Sequence, residues 1–219
     1  LNSKNDLSLL NELDYSQGCI IEEFIQNIED SPSVQGYIDL SGETKVFATH
    51  EQILDETGMV FQGSLFPANN KIRNEMSKYC KQIGDSLSKK GYIGFFAVDF
   101  VEHDNKISAI EINLRQGGTT HPYFTTKLLT NSDYCDKDNI LKTNTNHYYI
   151  SNDNFKTKFK DFSIIMNTLK EKNILFNKEI GEGVFFHMTS SLQDFNKLGY
   201  VIISNNRKKL FKLEKKLIN

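Results

Sequence analysis

The sequence predicts an α+β protein: an antiparallel sheet covered by helices, followed by a small α/β unit. Three observations carry that prediction. Around 98–113, apolar and acidic residues alternate at period 2, as in a hairpin with one face on a core. Over 70–90, Ile72, Met76, Cys80, Ile83 and Leu87 recur at intervals of three and four, the spacing of an amphipathic helix. From 181 to 216 the pattern runs strand, helix, strand and a basic helix.

Taken in order, a short helix is expected near 7–13. The apolar run 19–26 (CIIEEFIQ) reads as a buried strand with Glu22 and Glu23 at its exit. SPSVQGYID, TKVFATHEQIL and MVFQGSLFP read as three strands, separated by the turn-forming Ser41-Gly42 and by a helical or looped stretch at 51–58. The helix over 70–90 ends at Gly91, where a left-handed cap belongs. After the hairpin come one or two helical turns at 123–129. Residues 131–146 are polar and turn-rich, the composition of a linker. A strand at 148–150, a helix near 155–170 and the terminal module complete the chain. The division expected is therefore 1–130, a linker 131–146, and 147–219.

Composition narrows the classes. The 219 residues, 38% of them hydrophobic, suffice for one sizeable core or two smaller ones. A formal net charge of −2 provides no basic field for nucleic acid, so Arg207-Lys208-Lys209 and Lys215-Lys216 read as a solvated helix face. No apolar run of some 20 residues suggests a membrane span. The three cysteines, Cys19, Cys80 and Cys135, are unevenly spaced, and two sit in apolar patterns; that favours reduced thiols and a cytoplasmic protein over a disulfide frame or zinc site.

The hairpin holds the chemistry. Val98 and Phe100 alternate with Asp99; Ile110 and Ile112 alternate with Glu111 and Asn113. The acidic faces coincide only if Asp99 stands opposite an odd-numbered residue, Ala109 or Glu111. An odd number of loop residues is therefore expected around Asp104-Asn105, because a two-residue loop pairs Asp99 with Ile110. In the odd register, two carboxylates and an amide oxygen converge, with Arg115 just beyond. Such hard oxygen donors suit Mg2+ accompanied by substrate phosphates.

The order D-F, a turn, E-I-N-x-R and a Gly-Thr-rich loop resembles the metal-binding end of the ATP-grasp carboxylate–amine ligases. EINLRQGGTTHP is similar to the branch containing the pheganomycin-type peptide ligase. The resemblance extends to both sides, through 19–67 and through GEGVFFHMTSSLQDFNKLGYVIISNN at the far end. It implies that Asp99, Glu111 and Asn113 hold Mg2+ (or Mn2+) beneath the ATP phosphates. Arg115 would stabilise an acyl phosphate and the tetrahedral intermediate, with His121 near the substrate carboxylate or amine. Glu22, Glu23, Phe24 and Ile25 would form the adenine hinge. The implied reaction joins a small-molecule or peptide carboxylate to an amine. His50, Gln52 and Gln62 are candidates for the substrate side. His187 reads first as a satisfied histidine of the terminal module, and alternatively as a substrate contact. Gly117 and Gly118 would let backbone N–H groups approach an anion.

The sequence also departs from that family. Lys4 is the sole lysine before the hinge, no Gly-rich loop precedes it, and Phe95-Phe96-Ala97 stand where relatives often carry an arginine. The expectation is a ligase portion needing an N-terminal nucleotide-clamping lobe in cis or in trans. A non-catalytic nucleotide- or partner-binding module is the alternative. A metal-dependent hydrolase is a third reading, with His121 as the sole evident base.

Overall fold

The computed structural model describes residues 18, 20 and 22–218; the helix expected at 7–13 and positions Cys19 and Ile21 lie outside them. The strands are β1 (Ile28–Asp30), β2 (Pro32–Ile38), β3 (Thr44–Leu54), β4 (Phe61–Phe66), β5 (Gly94–His103), β6 (Lys106–Asn113), β7 (Asp133–Cys135), β8 (Ile140–Lys142), β9 (Asn146–Lys156), β10 (Gly183–His187) and β11 (Lys197–Ser204). The helices are α1 (Asn70–Lys89), α2 (Thr120–Thr130), α3 (Phe162–Glu171), α4 (Ser191–Phe195) and α5 (Arg207–Ile218). All the pairings between named strands are antiparallel, as expected for this α+β protein.

One hydrogen-bonded sheet crosses the molecule. β6 lies on β5, β5 on β1 and β2, and pairing continues through β3, β4, β9 and β11 to β10. β4 meets β9 at Gly63–Asn152 through Phe66–Tyr149, and Phe66 and Tyr149 stack at 4.9 Å. The first and second halves of the chain thus share a ladder. Residues 131–146, expected as a polar linker, carry β7 and β8; β7 pairs with β8, and β8 with β9. Ile140 and Leu141 are buried there; two apolar residues suffice to dock a segment that polar composition marks as loop.

Helix α1 covers the first half, as its periodicity predicts. Ile72, Met76 and Cys80 pack on Val34, Ile38, Val46, Phe96, Val98 and Phe100. Asn69 caps its start by accepting from the Lys71 N–H. At its end the N–H groups of Gly91 and Tyr92 return to the carbonyls of Ser88 and Leu87, with Gly91 at φ +83°. That is the left-handed cap expected at this glycine. Burial pushes the Cys80 thiol up to about 12, leaving it a packing group.

Over the second half, Leu210, Leu213 and Leu217 of α5 pack on Ile150, Tyr200 and Ile202. The Arg207 guanidinium grips both Glu51 carboxylate oxygens at 2.8 Å and donates to the Pro67 carbonyl at 3.1 Å. Helix α5 is therefore tied to β3.

Other expectations shift. β3 runs unbroken through 51–54, so no helix forms there. β9 extends to Lys156, taking Phe155 out of the predicted helix; α3 starts later, where Asp161 accepts from the Ser163 N–H. Helix α2 has three turns where one or two were expected. The 22–26 stretch, expected as part of a buried strand, lies outside any strand, with Glu22, Glu23 and Phe24 exposed and Ile25 half-buried. Regular pairing begins only at β1.

Gly84 lets α1 approach the sheet. A Cβ there would lie 2.3 Å from Thr44 Cγ2 and 2.6 Å from its Oγ1, on a short β-branched side chain held by Asp85. The helix-propensity gain of Gly84→Ala, about 1 kcal/mol, is smaller than an overpacking cost of about 1–3 kcal/mol. Thermal unfolding should therefore show the variant melting below the parent chain. A raised melting temperature would mean that the contact relaxes freely.

Candidate functional site

The β5–β6 hairpin closes with a two-residue turn, not the odd loop expected from parity. His103 pairs with Lys106, and Asp104 and Asn105 both adopt left-handed φ (48° and 58°), the geometry of a type I′ turn. The parity is restored further along. Phe100 pairs with Ala109 but Asp99 pairs with Glu111, leaving Ile110 unmatched in a bulge. Ala97 then faces Asn113, so Asp99, Glu111 and Asn113 share a face.

These three line one cavity of about 330 Å3, together with Arg115, Gln52, Ser33, Thr119 and the apolar Phe61 and Met59. Gln52 Nε2 donates to Asp99 Oδ1 at 2.8 Å and Asn113 Nδ2 donates to Oδ2 at 3.0 Å. Arg115 reaches back to Asn113 Oδ1 at 3.1 Å. Burial, with the adjacent Glu111 charge, pushes the Asp99 carboxyl up to about 6, against the pull of the Gln52 hydrogen bond.

The loop beyond Arg115 is anchored from β2. Gln35, 1% exposed, donates to Thr119 Oγ1 and accepts from Thr120 Oγ1 at 3.1 Å. Thr120 Oγ1 also accepts from the Gly117 N–H at 3.0 Å. That N–H is consequently engaged within the loop and does not face an anion. A Cβ on Gly118 would stand 2.9 Å from the Phe61 ring, so the glycine serves close packing.

The remaining candidates separate. Gln52 lies in the cavity, orienting Asp99. His50 is fully buried, its Nε2 2.6 Å from the Tyr149 hydroxyl, and burial pushes its pKa down to about 3; it is a core residue. Gln62 and the segment from Glu22 to Ile25 are not among the cavity's lining residues. His121 stands apart from that lining too, its ring 4.4 Å from that of His187. Sequence reasoning missed Gln35, Thr119 and Thr120 as loop anchors. Their polar side chains at buried positions form a signal only once the loop is folded onto β2.

The donor set fits a divalent cation. Two carboxylates and an amide lie on one face, and the Asp99–Glu111 repulsion is what a bound cation would relieve.

An ATP-grasp domain family model matches residues 2–119. The L-propargylglycine–L-glutamate ligase of Streptantibioticus cattleyicolor is 31% identical over 190 residues, covering 84% of this chain and 38% of that protein. The N5-carboxyaminoimidazole ribonucleotide synthetase of Thermus thermophilus superposes with a TM-score of 0.67 at 13% identity, over 98% of this chain and 57% of that one. The Staphylococcus aureus N5-carboxyaminoimidazole synthetase complexed with ADP gives 0.64 at 15% identity, over 100% and 56%. The chain spans less than two thirds of the length of each.

The Asp99 shift has a stability consequence. A carboxyl with a raised folded pKa favours the fold below its ordinary value of 3.8, and that contribution is lost as pH rises through about 6. Glu111→Gln removes one of the two main causes. In divalent-free buffer at pH 7 the variant should gain about 1 kcal/mol, or about 2–4 °C in melting temperature. The gain should vanish below about pH 4, where the Asp99 carboxyl is protonated in the fold. An equal gain at both pH values would mean that crowding with Asp99 is not its cause.

Proposed function

The chain belongs to the ATP-grasp domain family, and from that premise we propose that it supplies the metal-binding part of an ATP- and Mg2+-dependent carboxylate–amine ligase of peptide type. The reaction proposed, in the cytoplasm, is phosphorylation of a substrate carboxylate by ATP, then attack of an amine on the acyl phosphate to give an amide. The observation that carries the proposal is the convergence of Asp99, Glu111, Asn113 and Arg115 in one cavity. A nucleotide-clamping lobe, in cis or in trans, completes the nucleotide site in this reading. The relative's name, L-propargylglycine–L-glutamate ligase, supports amino-acid substrates as the class to test first.

Asp99, Glu111 and Asn113 would hold Mg2+, with Mn2+ as a substitute. The ion's chemistry is neutralisation of the charge on the transferring phosphoryl group. Gln52 and Asn113 fix the Asp99 carboxylate from either side, so both oxygens keep a defined direction. Deprotonation of Asp99 above about pH 6 makes it a competent ligand at neutral pH. Arg115 is exposed beside this cluster and stabilises the negative charge that develops on the reacting carboxyl. Phe61 and the exposed Met59 give one side of the cavity an apolar surface. Backbone groups of Glu23 and Ile25 are the adenine contacts proposed; the largely exposed segment from Glu22 to Ile25 would pack against the nucleotide.

The test is Arg115→Ala in the ligase with its clamping lobe present. Amide formation should fall about 100-fold or more, the scale of losing one donor to a developing oxyanion, while calorimetry shows ATP affinity largely retained. Phosphate release should require both ATP and an amine. Near-normal turnover in Arg115→Ala removes that residue from the chemistry, and phosphate release without an amine favours a hydrolase.

A further inference from the structure

A second cluster lies outside the Asp99 cavity. His121 stands near the start of α2, Asp153 in β9 and His187 at the end of β10, and one ligand atom from each lies within 4.8 Å of the others. We propose that these three side chains form a binding site for a first-row transition-metal ion, with Zn2+ the best match and a fourth position left open.

Local geometry supports this. His187 Nε2 and Asp153 Oδ1 are 3.4 Å apart. A tetrahedral ion with bonds of about 2.0–2.1 Å has edges of about 3.3–3.4 Å, so this pair already spans one edge. The two imidazole rings meet at 62° with centroids 4.4 Å apart, an inclined arrangement compatible with nitrogens converging on one point. Nε2 of His187 is buried and has no hydrogen-bond partner. Burying an unpaired polar atom costs free energy, and a metal bond would satisfy it.

The surroundings look built for the ring. His187 sits opposite Gly199 in the β10–β11 ladder, and a Cβ on Gly199 would fall 2.1 Å from His187 Cε1. Any other residue there would expel the imidazole. Burial lowers the pKa of both histidines, with His187 a further cause at His121. That burial disfavours the charged imidazolium, the form that cannot ligate a metal, although the Asp153 charge works the other way at His121. A plain His–Asp ion pair would need the charged form that this environment disfavours.

Two imidazoles and one carboxylate select against Mg2+, which prefers oxygen donors, and in favour of Zn2+ and its neighbours. The site is chemically distinct from the Asp99–Glu111–Asn113 set and does not depend on the ligase reading.

The experiment uses this chain stripped with chelator and titrated with Co2+ and then Zn2+. One equivalent of Co2+ should produce the visible absorption of a tetrahedral site, which Zn2+ then removes; calorimetry should give one matching Zn2+ site. His187→Ala and Asp153→Asn should each weaken it at least about 10-fold, and His121→Asn, a change at a helix start, should do the same. Circular dichroism confirms that each variant is folded. His103→Ala, a histidine outside the cluster, should leave the titration unchanged. Absence of the Co2+ absorption overturns the proposal, as does binding that persists in folded His121→Asn and His187→Ala or that is lost in His103→Ala.

Discussion

Asp99 and Glu111 face each other because Ile110 drops out of the ladder between β5 and β6. A straight ladder from the Asp104-Asn105 turn would set Asp99 against Ile110 and turn Glu111 to the opposite face. The bulge reverses that parity over the last residues of β6 and leaves the buried side, Val98 and Phe100 against α1, undisturbed. The result is a half-buried carboxyl, Asp99, beside an exposed one, Glu111, an arrangement unfavourable to the empty fold and suited to a cation. The convergence of the two carboxylates, and with it the proposed chemistry, descends from that one unmatched residue.

The remaining parts of the site are held by the sheet and not by the loop that carries them. Gln35 on β2 anchors Thr119 and Thr120, and Gln52 on β3 orients Asp99. Both amides come from β2 and β3, the two strands that follow β5 in the sheet, so the site's precision depends on three neighbouring strands keeping register. The similarity of fold to synthetases at 13–15% identity shows that the sheet architecture tolerates wide sequence change.

Much of this was legible in the chain. Helix α1 announced itself through Ile72, Met76 and Cys80, and its end through Gly91, because a 3.6-residue period and a left-handed cap are local properties. The hairpin's acidic face was legible for the same reason. The bulge was not: parity demanded one extra residue, but nothing local distinguishes a residue added in the turn from one added at Ile110. Strands β7 and β8 were hidden because Ile140 and Leu141 are too few to show a period. The start of α3 was misplaced because Phe155 fits a helical pattern as well as a strand. Asp153 could not be paired with His121 and His187, since only the folded sheet brings β9, β10 and α2 together.

On β3 two consecutive side chains face different duties. Glu51 is clasped by Arg207 at the head of α5, and Gln52 donates to Asp99. One peptide bond therefore separates the anchorage of the C-terminal helix from the group that tempers the proton affinity of the carboxylate. The backbone that fixes the one contact therefore also fixes the starting point of the other.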